Sequence, residues 1–130
     1  MNKQQLANKI WASANKMRSK IEANEYKDYI LGFIFYKFLS EQEVRVAKEY
    51  DFTDADLPQL NEKNEEIVKW AQSKLGYFIA YENLYSTWMD KDFDFQITNV
   101  RDALSAFTRL ISPTHKKVFS GIFDTLQTCL

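Results

Sequence analysis

Apolar residues recur at Leu6, Ile10, Ala14, Met17 and Ile21, a spacing that places them on one helical face. Asn2 followed by Gln5 is a capping-box start for that helix. Lys9, Lys16 and Lys20 share an arc beside the apolar stripe, and Arg18 lies near Trp11 on its other flank. Asn24 is the expected cap of a second helix, with Glu25 and Asp28 in its first turn, where the positive end of the helix dipole favours them. The run YILGFIFYKFL (29–39) is rich enough in aromatic and branched residues for a strand. Its continuation into EQEVRVAKEY instead predicts a helix of about six turns, buried on most sides. Gly32 within it costs on the order of 1 kcal/mol relative to Ala, which a close helix crossing at that point would offset.

Asp51 to Pro58 (DFTDADLP) has turn chemistry and predicts a loop between two halves. A third helix starts at Asn61 or Asn64, runs through Ile67, Val68, Ala71 and Leu75, and ends at Gly76, where a left-handed cap is wanted. Tyr77 to Ala80 is a short apolar piece compatible with an extended segment, and ENLYSTWM follows with a helical turn or two. After the acidic DKDFDF (90–95), Val100, Leu104, Phe107 and Ile111 trace another helical stripe. Ser112 and Pro113 break it and open a last helix with Val118, Phe119, Ile122 and Leu126 on its apolar side. The expected fold is a mainly α, single compact domain of about five helices, with a possible extended stretch near 77–80. Its core is expected to centre on Tyr26, Tyr29, Ile30, Phe33, Ile34 and Phe38, packed by Leu6, Ile10 and Met17.

Composition narrows the picture further. With 130 residues the chain supports one domain, and its 45% hydrophobic and 27% charged content is that of an ordinary globular protein. Three Gly and two Pro leave little material for hairpin-rich folds. The net charge is only −1, but it is unevenly arranged: residues 1–40 carry seven Lys/Arg against three acids, and residues 41–100 carry six against thirteen. Cys129 is the only cysteine, so no intrachain disulfide can form, and a cytoplasmic location is expected. The most apolar run is too short for a membrane span and contains Lys37, so no membrane association is expected.

A search for catalytic chemistry returns little. Gly32, Gly76 and Gly121 are isolated, so neither a dinucleotide-type turn nor a P-loop is present. Asp90, Asp92 and Asp94 imitate a calcium loop, but Phe95 stands at the turn position and Arg101 at the bidentate position. His115 is the only histidine and reads as a solvent-facing residue at a helix start. No catalytic, cofactor-binding or metal-binding residue is assigned. The cations Lys9, Lys16, Arg18, Lys20 and Lys27 are the candidate DNA-proximal residues, able to neutralise phosphates without reading bases. The aromatics of the second helix are expected to be core and not a stacking platform.

The segment LANKIWASANKMRSKIEANEYKDYILGFIFYKFLSE (6–41), followed in order by GYFI (76–79), VRDALSAF (100–107) and VFSGIFDTL (118–126), resembles the opening of the modification (M) subunit of type I restriction-modification systems. The resemblance implies an N-terminal helical domain spanning residues 1–130, with a separate catalytic domain that binds S-adenosylmethionine and methylates adenine in DNA. Such methyltransferases carry a glycine-rich cofactor loop and an Asn-Pro-Pro-aromatic clamp for a flipped base. Pro58 and Pro113 are single and lie in LPQ and SPT, so the catalytic domain is expected to be absent from this chain. The implied partners are the catalytic domain of the same subunit, the specificity subunit, a second modification subunit, the restriction subunit and double-stranded DNA. The implied role is non-catalytic, helping to assemble the complex and clamp the duplex. The alternative is a free-standing helical protein–protein interaction module.

Overall fold

Asn2 and Gln5 form the expected capping box: the Gln5 N–H donates to Asn2 Oδ1 at 2.8 Å, and the Asn2 N–H donates to Gln5 Oε1 at 3.1 Å. From there α1 (Lys3–Arg18) runs to a cap at Ser19. Ile21 therefore packs from the connecting turn and not from the helix. The computed structural model describes residues 2–90, 92–119 and 121–130. Met1, Lys91 in the acidic 90–95 stretch and Ser120 in the last predicted helix lie outside the described residues.

The second helix, α2 (Ala23–Glu49), is 27 residues long, more than the six turns expected. It starts after Glu22, so Asn24 is not its cap; Asn24 Oδ1 only accepts the neighbouring Glu25 N–H. Its buried residues are Tyr29, Gly32, Tyr36, Leu39, Ser40, Glu43 and Ala47. That is one stripe at spacings of three, four and one, so the helix is buried along one side and not on most sides. The expected core is corrected accordingly. Tyr29 and Leu6 are fully buried, and Tyr26, Ile30, Phe33, Ile10 and Met17 pack partly buried against the core. Ile34 and Phe38 point outward, 55% and 59% exposed, because they lie across the helix from that stripe.

After α2 the chain turns at Asp51, whose φ of 69° is left-handed. The predicted 51–58 loop contains a 3-10 helix over Asp54–Gln59, started by Thr53, whose N–H donates to Asp56 Oδ2 at 2.8 Å. Then α3 (Glu65–Leu75) is capped by Asn64, one of the two starts the sequence offers, and closed by Gly76 in the left-handed conformation, as the sequence predicts. Residues 77–80 form no strand, and none occurs among the described residues. They are nevertheless buried, all four at 2% exposure or less. A short 3-10 turn (Tyr81–Asn83) and α4 (Tyr85–Trp88) follow, with Leu84 and Trp88 also in the core.

Irregular backbone inside a core has no ladder to satisfy its polar groups, so partners must come from elsewhere. Here α2 supplies several. Glu43 Oε1 accepts the Ile79 N–H at 2.7 Å, and Ser40 Oγ accepts the Tyr85 N–H at 2.7 Å. Tyr77 likewise donates its hydroxyl to the Leu39 carbonyl of α2 at 2.7 Å; in the opposite sense, Tyr36 of α2 donates to the Asn83 carbonyl at 2.8 Å. The Leu60 carbonyl takes the Tyr81 N–H at 2.8 Å. Ring contacts continue this junction, with Tyr36 stacked on Trp88 and Trp88 tilted against Phe95.

Across the core lies α5 (Ile97–Arg109), which buries Val100, Ala103, Leu104 and Phe107, as its stripe predicts. Ile111 is also buried, just beyond the helix end. The single last helix is corrected to two short ones, α6 (Lys116–Phe119) and α7 (Asp124–Cys129), separated where Gly121 adopts a φ of 89°. Phe123 and Phe119 lie edge-on to Phe107, which extends the aromatic core to this end. The close crossing expected at Gly32 is made by α7: a Cβ at Gly32 would stand 2.9 Å from Leu126 Cδ2 and 3.0 Å from its Cβ.

This close approach predicts non-additive stability. Gly32→Ala should destabilise by ~1–2 kcal/mol despite its better helix propensity, because overpacking outweighs that gain. Leu126→Ala alone should cost ~2–5 kcal/mol. The double variant, measured by urea denaturation, should cost less than the two together by ~1 kcal/mol or more; strict additivity would contradict the close crossing.

Candidate functional site

The five candidate cations do not form one patch. Lys9 and Lys16 stand two turns apart on the same side of α1, and Lys20 follows just beyond its end. Of these, Lys9 is half-buried, and its Nζ donates to the Phe95 carbonyl at 2.5 Å, so it joins α1 to the start of α5. Lys16 and Lys20 are exposed. On the other flank of α1 the Arg18 guanidinium lies over Trp11 (5.8 Å) and over Tyr26 (5.4 Å), whose hydroxyl accepts from it at 3.4 Å. Arg18 thus leans toward α2, where the exposed Lys27 follows Tyr26. The structure therefore places Lys16 and Lys20 on one flank, Arg18 and Lys27 on the other, and gives Lys9 a structural bond.

On the Trp11 side, where Arg18 leans, the surface is apolar. A groove of about 240 Å³ opens between α1 and α2, lined by Ala7, Ile10, Trp11, Ile30, Phe33 and Ile34, with Lys37 and Tyr85 at its rim. Trp11, Ile34, Phe35 and Phe38 are each about half exposed or more. The expectation that all aromatics of the second helix are core is thus corrected: Tyr29 and Tyr36 are buried, while Phe35 and Phe38 face outward. Lys37 donates to Glu41 at 2.6 Å and stands 5.5 Å from the Tyr85 ring, closing one side of the groove.

The remaining chemistry is structural. Gly76 carries the His115 ring where its Cβ would be, with His115 Cγ 2.6 Å from that position. His115 is therefore half-buried, stacked on Phe119, and not the free surface residue expected. Gly32 is filled by Leu126, and Gly121 is a lone turn. A cradle for S-adenosylmethionine needs a run of glycines whose missing side chains leave room for ligand; Gly32 and Gly76 are filled by Leu126 and His115, and Gly121 is a single exposed turn glycine, so the residues present do not fit that cofactor. Burial pushes the Cys129 thiol up, away from nucleophilic readiness. Asp90 Oδ1 accepts the Asp92 N–H and Asp94 Oδ1 accepts from Gln96, bonds within the loop itself. Among the described residues no cluster of His, Cys, Asp or Glu could hold a metal ion, and no helix is long and apolar enough to cross a membrane.

Two features escaped the sequence reading. Glu43 is fully buried, whereas EQEVRVAKEY in the sequence only extends the predicted helix and does not place this carboxyl. The available signal was its spacing, four after Leu39 and seven after Tyr36, on the very stripe that goes inside. The exposed strip of Ile34 and Phe38 was missed for the complementary reason: hydrophobicity all round the helix does not say which side is covered.

The chain matches, over residues 6–128, the family model described as HsdM N-terminal domain. It is 26% identical to the type I restriction enzyme MpnII methylase subunit of Mycoplasma pneumoniae, over 88% of this chain and 24% of that protein. The chain thus spans about a quarter of the length of this curated relative. No solved structure matches it.

The different settings of the lysines predict different costs. Lys9→Gln should lower the unfolding free energy by about 1 kcal/mol, because the Phe95 carbonyl loses a charged donor. Lys16→Gln and Lys20→Gln should each stay within about 0.5 kcal/mol of the parent. Equal effects in chemical denaturation would show that the Lys9 bond carries no stability.

Proposed function

The chain belongs to the family of HsdM N-terminal domains of type I methylase subunits, and on that premise we propose that it is a non-catalytic clamp and assembly domain. In this reading it serves a longer subunit whose catalytic domain binds S-adenosylmethionine and methylates adenine in DNA. The observation that carries the reading is the division of the surface around α1 and α2. Arg18 lies over Trp11 in an exposed apolar set with Ile34, Phe35 and Phe38, while Lys16 and Lys20 are exposed on the other flank of α1 and Lys27 is exposed on α2.

Each part of that surface suits one task. Isolated lysines on a helix can hold phosphates without reading bases, which fits a domain that closes on a duplex chosen by another subunit. An apolar strip of large side chains is costly to leave in water and suits a protein partner. The catalytic domain of the same subunit is the occupant we assign to it, since covalent linkage keeps that partner at high effective concentration. The specificity subunit, a second modification subunit and the restriction subunit complete the proposed assembly. The acidic middle of the chain, with thirteen acids between residues 41 and 100, would repel the duplex from other faces.

The test is made in the assembled methylase. Combined Lys16→Gln, Arg18→Gln and Lys20→Gln should weaken DNA retention and lower the log–log salt dependence by about one for each phosphate that is no longer neutralised. Circular dichroism of the variant should match the parent. An unchanged affinity and salt slope would sink the clamp reading of this edge.

A further inference from the structure

Glu43 is a buried carboxyl for which the proposed clamp has no use. It projects from α2 into the core with no exposure to solvent. One oxygen, Oε1, accepts the Ile79 N–H at 2.7 Å; the other, Oε2, is enclosed without a hydrogen-bond partner. No lysine or arginine pairs with it among the described residues.

The groups around it cannot supply the missing donor. Tyr36, on α2 itself, gives its hydroxyl proton to the Asn83 carbonyl, and Tyr77, on the packed segment, gives its proton to the Leu39 carbonyl. The charges beyond them are Glu82, which acts on Tyr36, and Arg45, which acts on Tyr77. A carboxylate formed here would therefore be an uncompensated charge in a low-dielectric interior. The segment it holds follows Gly76, which closes α3 in the left-handed conformation.

We propose that Glu43 is a protonation-gated latch, which as a neutral acid seats residues 77–80 on α2 and on ionisation releases them. The direction of its titration agrees: burial holds the carboxyl well above the usual carboxylate range, and the Ile79 hydrogen bond only partly opposes this. Below the ordinary glutamate value both folded and unfolded chains are neutral here, and the latch is fully seated. As pH rises above it, the unfolded chain ionises first, so folding stability declines through the window up to the raised folded value. Beyond that value the carboxylate forms in place, and the segment swings out to reach water.

Unfolding of the 130-residue chain and of Glu43→Gln across about pH 4 to 9 tests this. Gln keeps an oxygen for the Ile79 N–H and cannot ionise. The two curves should coincide near about pH 4; above it the parent's folding constant should fall relative to the variant by up to about tenfold per pH unit, then level off. Parallel curves at all pH values would overturn the latch. If the Gln variant does not fold, the side-chain carboxyl carbon-13 signal of Glu43 in the parent decides. Titration well above the other glutamates supports the latch, and titration together with them overturns it.

Discussion

The fold depends on satisfying the backbone of residues 77–85 inside the core. This segment brings Tyr77, Phe78, Ile79 and Leu84 into the core with only a single 3-10 turn at Tyr81–Asn83 to pair its amides. A buried unpaired amide or carbonyl costs free energy comparable to a lost hydrogen bond, so the segment is stable only where outside partners meet it. Four of the bonds described come from or go to one side of α2, at Tyr36, Leu39, Ser40 and Glu43. Polar residues in the middle of an otherwise apolar stripe are thus the means by which α2 organises what lies against it.

That arrangement also determines what is left for function. With one side of α2 committed to the segment, to α7 at Gly32 and to α4, its opposite side is free, and Ile34, Phe35 and Phe38 stay exposed there. The lysines of α1 divide in the same way. Lys9 is drawn into the structure by the Phe95 carbonyl, whereas Lys16 and Lys20 have no such anchor and remain available to an anionic partner. Charge and apolar surface therefore meet along the α1–α2 edge because the core uses the other faces.

Much of the fold was legible in the sequence where local physics decides it. The Asn2–Gln5 capping box, the Asn64 cap, the Gly76 terminator and the α5 stripe all follow from short-range spacing, and each is found. What periodicity could not decide was which side of a helix apolar almost all round would be covered. Ile34 and Phe38 therefore read as core yet lie outside, and Glu43, which periodicity left unplaced, is buried. The 3-10 helix at Asp54–Gln59 and the break at Gly121 lie in short stretches where turn residues permit several conformations. For the candidate site, the cations were legible as residues, but their separation into two flanks and the Phe95 anchor required the tertiary structure.

The measurement that bears most directly on this account is amide hydrogen exchange of the wild-type chain, resolved by residue. The Ile79, Tyr81 and Tyr85 amides lie outside regular pairing, yet with Glu43 neutral they should be protected to the same degree as amides in the middle of α2 and α5, because in that state they open only when the core does. Exchange of these three amides in that state at rates typical of a solvated loop, with α2 and α5 still protected, would contradict the claim that α2 holds this segment in the core.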